Sequence, residues 1–327
     1  MKRVHLGLLA TSVMISACGG GGSESFGGQD PVSSSFPITS NNGVQTTRLS
    51  YEAALGAVEL ADVGNPPVGG AGFAGNSTIA DVSPMPEDIV FDVINLVPFG
   101  PDVEPCLGGT GTTTLSGDLA VPGTFTAGDT FRIEYELCDE GQGEVIDGVI
   151  NLTIADFSGD LFLGTYMLAV NAVVESLQVL TGNDTLTADG DASITIDTML
   201  VPYVETSVSG SQMTQTSDAG TETLTNYRSD QSVDGNQQPE AYTMDSAGTL
   251  EHSTLPGTVD YSTTTLFRGL IPAYPSEGAL VVEGDNSSAR LTVLDASNVR
   301  IEVDENGDGE FEYSEDMTWD AFLGNNT

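Results

Sequence analysis

The side chains of one segment near the C-terminal end have the types and spacing of a calcium-binding loop. Its oxygen-bearing members are Asp304, Asn306, Asp308, Glu310 and Glu315. Calcium takes about six to eight oxygen ligands, and a loop with polar groups at alternate positions and a carboxylate at the twelfth supplies them around one ion. The spacing makes these five side chains candidate ligands of a weakly bound calcium ion.

The same segment has a second interpretation as a β-hairpin turn. Residues 299–303 and 311–313 alternate like strands, and Phe311 stands where a helix-loop-helix site usually has a small aliphatic residue. Asn-Gly and Asp-Gly pairs form tight hairpin turns, in which acidic side chains are simply solvated. The sequence leaves both interpretations open: a turn alone, or a turn that also binds calcium.

Other residues could in principle carry catalysis. Glu134 and Glu136 share one face of a predicted strand, and paired carboxylates about 5–10 Å apart hydrolyse glycosides. A solvated strand face is the commoner interpretation in a chain with 48 acidic residues. His252 would be needed for a Ser-His-acid triad, but no Gly-x-Ser-x-Gly motif accompanies it. We therefore predict no catalytic residues and interpret Asp189-Gly190-Asp191 as a turn with solvated acids.

The first residues of the chain have the order of an export signal. Lys2 and Arg3 precede an apolar run over residues 6–15, and Ser16-Ala17-Cys18 follows. This order is similar to the lipobox of a bacterial lipoprotein signal peptide. The resemblance implies that residues 1–17 are a signal peptide and that Cys18 is acylated, with palmitate among its chains. Gly19, in place of aspartate, resembles the signal for outer-membrane residence.

The remaining cysteines, Cys106 and Cys138, are expected to form a disulfide. Export to an oxidising compartment favours pairing of two thiols. Closing a loop of this length stabilises the fold by about 3–4 kcal/mol in the chain-entropy model. A thiol nucleophile or a metal site are the alternatives, and both lack a nearby histidine.

The charge of the exported part excludes several classes of partner. After residue 18 the chain has no lysine, and six arginines face 48 acidic residues, a net charge near −42. Nucleic-acid binding requires cationic side chains that neutralise phosphates, and anionic lipids likewise attract basic segments. We therefore exclude DNA, RNA and phosphoinositides. The acidity fits solubility in saline surroundings, where the Debye length falls from ~10 Å at 0.1 M salt to ~3 Å at 1 M; affinity for cations or cationic partners is the alternative.

The elements that must position these residues are mainly strands. Residues 18–45 are predicted to be a flexible linker and 46–327 a mainly β domain with two short helices near 50–63 and 86–97, the first capped by Ser50. From Cys106 onward, apolar residues recur with a period of two. The predicted strands cover residues 130–138, 145–154, 166–180, 185–197, 203–216, 221–233, 240–252, 257–267, 278–284, 288–295, 298–304 and 310–314. This spacing predicts a large antiparallel sheet, a sandwich or an open barrel.

Several segments of the β region also carry a family resemblance. They are residues 106–111, 127–131, 136–139 and 148–153, together with 284–293, 303–309 and Thr318-Trp319 near the end. In these segments the chain resembles uncharacterised proteobacterial lipoproteins. The resemblance implies a similar β fold and the same location, and it brings no activity with it.

Together these patterns predict a lipid-anchored protein of the cell envelope. We expect a non-catalytic binding or structural module that meets the membrane through its N-terminal lipid, with an envelope protein or a glycan as its partner. One alternative is a periplasmic carrier that holds an apolar ligand in an open β-barrel. The other is a carbohydrate hydrolase that uses carboxylates.

Overall fold

A computed structural model of the protein describes residues 35–59, 101–121, 124–139, 144–160, 163–181, 184–218 and 220–324. Cys18, most of the predicted linker and the predicted helix at 86–97 lie outside the described residues. Within them the chain is mainly β, as the sequence predicts, with two helices and fourteen strands.

The helices are α1 (Gly43–Glu59) and α2 (Trp319–Phe322). The strands are β1 (Asp102–Pro105), β2 (Thr112–Asp118), β3 (Thr130–Asp139), β4 (Glu144–Asp160), β5 (Thr165–Thr181), β6 (Asp184–Asp197), β7 (Tyr203–Ser217), β8 (Gly220–Asp234), β9 (Ala241–His252), β10 (Thr258–Leu270), β11 (Glu277–Gly284), β12 (Ser287–Asp295), β13 (Asn298–Asp304) and β14 (Tyr313–Thr318).

All of these strands belong to one open antiparallel sheet. Each strand pairs with the strand that follows it along the chain, so the order in the sheet is the order in the sequence, from β1 at one edge to β14 at the other. Of the architectures that the alternation allowed, the structure is therefore the single large sheet. Hairpin connections of this kind need only short turns, which agrees with the regular spacing of glycine, aspartate and asparagine.

Helix α1 packs on the sheet and begins earlier than the sequence predicts. Its first turn is set by Thr39, whose backbone carbonyl accepts the N–H of Gly43 at 2.7 Å and whose own N–H donates to the Asn42 side chain. Ser50, the predicted N-cap, lies in the helix interior with no exposed surface. The helix thus starts within the stretch assigned to the linker. None of the helices in the described ranges combines the length and apolarity needed to cross a membrane.

An aromatic cluster joins α1 to the last strands. The ring of Tyr51 lies 5.3 Å from Phe267 of β10, 5.1 Å from Trp319 and 6.0 Å from Phe322, measured between centroids. Such pairs each contribute about 0.5–1.5 kcal/mol beyond the burial of their area. Thr318 caps α2 by accepting the N–H of Ala321 at 3.1 Å, which fixes the direction of Trp319. Trp319 therefore packs the end of the chain against the core.

Interruptions of the pairing register recur from strand to strand. They separate Tyr135 from Cys138, Asp147 from Val149, Val174 from Leu177, Gly190 from Ser193 and Thr225 from Arg228. A β-bulge bends its strand and increases the local twist. Repeated across neighbouring strands, bulges curve a sheet. Helix α1 accordingly touches β7 to β9 and β11 to β13 with its seventeen residues.

Aspartates satisfy the backbone at three of these bulges. Asp147 accepts the N–H of Leu137 at 3.1 Å, Asp189 that of Ser176 at 2.6 Å, and Asp191 that of Ser211 at 2.9 Å. The sequence interpretation of Asp189-Gly190-Asp191 as a turn is therefore wrong, because these residues lie inside β6. Partial burial opposes ionisation of Asp191, but the hydrogen bonds from Ser211 and Gln212 outweigh it and hold its pKa below the ordinary value.

The bulge in β3 also determines where the second cysteine points. Regular alternation predicts that Leu137 faces inward, but its φ of +47° turns it outward, where it is 63% exposed. Cys138 is thereby returned to the buried face of the strand, to which Ile133 also belongs. Its sulfur lies at disulfide distance from that of Cys106, with the two Cα atoms 5.4 Å apart, a separation typical of native disulfides.

Candidate functional site

The predicted calcium loop connects β13 to β14 at one end of the sheet. Asp304 is the last residue of β13, and β14 begins at Tyr313. Gly307 and Gly309 have φ values of +74° and +87°, in the left-handed region that favours glycine. The loop is therefore a hairpin connection, as the alternation of its flanks indicates, and the helix-loop-helix form is excluded.

Asp304 holds the loop together from inside. Its side chain is 4% exposed, and its two oxygens accept the N–H groups of Asn306 at 3.2 Å, Gly307 at 2.7 Å and Gly309 at 2.8 Å. Desolvation opposes ionisation of this carboxyl, but the backbone hydrogen bonds, led by that from Gly309, lower its pKa below the ordinary value. A carboxylate bound in this way stays charged and stays in place.

Three carboxylates converge in this loop. One oxygen each from Asp304, Asp308 and Glu312 lies within 4.8 Å of the others. Asp304 is buried, whereas Asp308 and Glu312 are exposed, so the group opens to solvent. Oxygen ligands at this mutual distance fit around one hard cation.

Three of the five predicted ligands do not belong to this group. Glu310 is exposed and contributes its backbone N–H to Asp308 at 2.8 Å. Glu315 lies within β14, hydrogen-bonded to the hydroxyl of Tyr313. Asn306 uses its side-chain oxygen for the N–H of Asp308 and its amide nitrogen for Glu312 at 2.6 Å. The loop thus keeps Asp304 and Asp308 and takes Glu312 as its third acid.

Hydrogen bonds to distant segments hold the loop in position. A side-chain oxygen of Glu305 accepts the N–H of Ser40 at 2.6 Å. This bond lowers the pKa of Glu305. Phe311 lies under the guanidinium of Arg290, 4.5 Å from its ring centroid, which is the geometry of a cation–π contact. The N-terminal segment of the domain and the C-terminal hairpin therefore meet at this end of the sheet.

The candidate catalytic residues of the sequence analysis make local contacts with their neighbours. Glu134 forms an ion pair with Arg132 at 3.3 Å, and Glu136 accepts the hydroxyl of Thr112. His252 turns its Nδ1 towards Thr254, which lies 2.8 Å away through Oγ1. These contacts are those of a solvated strand face and of a local turn.

A second polar cluster lies between α1 and the sheet, and no pattern in the sequence indicates it. We call it the helix–sheet polar site and define it by Arg48, Glu52, Gln215, Glu222 and His252. Its members come from α1, β7, β8 and β9, and only the pairing register brings them together.

Comparison of the chain with protein-family models, with curated proteins and with solved structures gave no match in any of the three.

Proposed function

We propose that this chain is a lipid-anchored envelope protein whose β domain is a non-catalytic binding or structural module that calcium stabilises. The carboxylates of Asp304, Asp308 and Glu312 would bind the ion. Their convergence in one hairpin loop is the observation that carries the proposal. The anchor is the acylated Cys18, on the outer membrane.

The electrostatics of the loop support calcium in this role. Three carboxylates within 4.8 Å repel one another, and a divalent ion between them removes that repulsion. The backbone already satisfies Asp304, so the loop does not depend on the ion for its shape. Calcium should therefore bind weakly, in the range of about 0.1–1 mM that is typical of extracellular modules.

Thermal unfolding with and without calcium tests the proposal. With a dissociation constant near 1 mM, about 10 mM CaCl2 stabilises the folded state by about 1.4 kcal/mol. For a domain of this size that corresponds to a rise in Tm of about 3 °C. We expect Glu312→Gln and Asp308→Asn each to abolish the rise, because each removes a charged ligand and keeps the side-chain shape.

The same loop supplies the matched control. Glu310→Gln removes one negative charge next to the site without touching the three converging oxygens, and it should keep the full calcium shift. Asp304→Ala is not informative, because it also removes three backbone hydrogen bonds. Equal shifts in Glu312→Gln and Glu310→Gln, or an equal shift with MgCl2, would contradict a calcium site at this loop.

A further inference from the structure

In the helix–sheet polar site, three polar side chains form a row next to a row of core residues. Gln215, Glu222 and His252 are direct cross-strand neighbours on β7, β8 and β9. Two residues further along the same strands, Met213, Leu224 and Leu250 form a fully buried row with the same pairing.

Side chains two apart in a strand point to the same face of the sheet. The polar row therefore faces inward, towards the side that α1 covers.

Helix α1 adds two charged groups above this row. Arg48 and Glu52 are one turn apart, with Nε of the arginine 4.0 Å from a carboxylate oxygen of the glutamate. Glu52 lies close enough to Glu222 to disfavour ionisation of the Glu222 carboxyl. Arg48 likewise disfavours protonation of the His252 imidazole. The groups facing one another across the helix–sheet boundary are thus two carboxyls, a guanidinium, an imidazole and a carboxamide.

The side chain of Gln215 indicates that a hydrogen-bonding partner is missing from the site. The residue is 1% exposed, and neither its amide nitrogen nor its amide oxygen has a hydrogen-bond partner. An unsatisfied buried polar group costs about 1–3 kcal/mol, so native structures rarely leave one without a partner. This amide stands directly opposite Glu222, which places the missing partner beside that carboxyl.

The site also has more negative than positive charge when both of its carboxyls are ionised. Burial raises the pKa of Glu52 to about 7, against the opposing effect of Arg48, and burial together with Glu52 raises the pKa of Glu222 to about 7. Burial and then Arg48 lower the pKa of His252, so that the imidazole is neutral at pH 7. With both carboxyls ionised, the single guanidinium leaves one negative charge without compensation.

The geometry of the site disfavours a metal ion. Among the residues that the structure describes, the acidic group tight enough to share one ion is that of Asp304, Asp308 and Glu312. The acids and the imidazole of the polar site are spread more widely. An occupant with one positive charge and several N–H donors matches both deficits of the site, the uncompensated carboxylate charge and the unpartnered amide oxygen of Gln215.

We propose that the helix–sheet polar site binds a small protonated amine, whose ammonium group donates hydrogen bonds to Glu52, Glu222 and the amide oxygen of Gln215. The side chain of Glu52 is 13% exposed, and Glu222 and His252 are partly exposed, so the site reaches solvent. Water would satisfy the amide of Gln215 but would leave the repulsion between the two carboxylates. An ammonium ion donates to the amide oxygen and also offsets that repulsion, and the strongly acidic chain favours its approach.

Calorimetric titration of the full chain with n-butylamine at pH 7 tests this assignment. We expect binding to the native protein and a loss of at least about tenfold in affinity for Glu222→Gln and for Gln215→Met, since each removes one acceptor from the ammonium group. Glu134→Gln is the matched control, because it removes a carboxylate from an exposed strand face and should keep the native affinity. Circular dichroism of each variant verifies that it is folded.

Two further readouts distinguish the site from general attraction to acidic surface. Binding ionises carboxyls that are half protonated at pH 7, so the measured enthalpy should differ between phosphate and Tris buffers and converge at pH 8.5. Butan-1-ol, which has no charge, and tetramethylammonium, which has no N–H, should bind at least about tenfold more weakly. An absence of binding, which would mean that the site holds water only, overturns the proposal, as does equal affinity in the two site variants and the control.

Discussion

Individual acidic residues of this chain fall into two electrostatic groups. At Asp191 and Asp304, hydrogen bonds from the backbone outweigh the desolvation and keep the pKa of the carboxyl below its usual value. At Glu52 and Glu222, desolvation prevails and raises the pKa to about 7. The first group stabilises bulges and a loop, whereas the second belongs to the proposed amine site.

The raised pKa of Glu222 makes a prediction about stability. Unfolding returns its pKa from about 7 to the ordinary 4.5, so the unfolded state binds fewer protons between these values and stability falls as the pH rises through them. A glutamine never ionises and escapes this loss. Glu222→Gln should therefore be more stable than the native protein at pH 8, by about 1–3 kcal/mol, and nearly equal to it at pH 5. Denaturant unfolding at the two pH values measures the difference.

An exposed acid provides the comparison for this prediction. Glu134→Gln should change stability by less than about 0.5 kcal/mol at either pH, since surface substitutions usually have small effects. A Glu222→Gln variant that is less stable than the native protein at pH 8 would mean that the native carboxylate is stabilised by a partner. Such a result would remove the charge deficit from which the amine site was inferred.

Sequence patterns identify some of these residues and miss others for a physical reason. Alternate spacing points to Asp304 and Asp308, because both carboxylates lie in one short loop. Glu312 rather than Glu315 completes the group, since the loop closes as a hairpin and not between two helices. Gln215 and Glu222 become neighbours only through the register of β7 and β8, which no local pattern encodes.

At the scale of single elements, period-two alternation is the reliable signal. It predicts β3 and β5 to β13 to within three residues of their observed bounds, whereas β4 runs six residues beyond its predicted end, to Asp160. The strand predicted at 310–314 is observed as Tyr313–Thr318, because the loop occupies residues 305–312. The short strands β1 and β2 have no clear alternation and were not predicted. Bulges escape the pattern as well, since one extra residue inverts the facing of everything beyond it, as at Leu137.

The bulge in β6 gives a prediction at this scale. Gly190 has a φ of +153°, and a Cβ there would lie 2.4 Å from the backbone oxygen of Gln212 on β7. Because that atom belongs to a paired strand, Gly190→Ala should destabilise the protein by about 2 kcal/mol or more. Gly128→Ala is the control: φ is +95° and nothing lies within 4 Å of the added Cβ, so only the backbone strain of about 1 kcal/mol remains. Equal losses in the two variants, measured by denaturant unfolding, would show that the sheet moves apart freely at this bulge.

At the scale of the whole molecule, both candidate sites lie at one end of the sheet. Ser35 pairs with Thr258 at the start of β10, and Phe36 accepts the N–H of Asp285 in the turn between β11 and β12. The calcium loop and the turn that follows His252 belong to the same end. The described part of the chain therefore begins at the same end as both candidate sites, and an anchor at Cys18 would place them on the anchored side of the domain.

Acylation of Cys18 is the claim on which this arrangement depends, and metabolic labelling with tritiated palmitate tests it most directly. The full chain is produced in a bacterium that processes lipoproteins, beside a Cys18→Ser variant, and membranes are separated from soluble material. We predict that the native chain carries the label in the outer-membrane fraction and that the serine variant carries none. A serine variant that keeps both the label and its membrane association would contradict the lipid anchor at this residue.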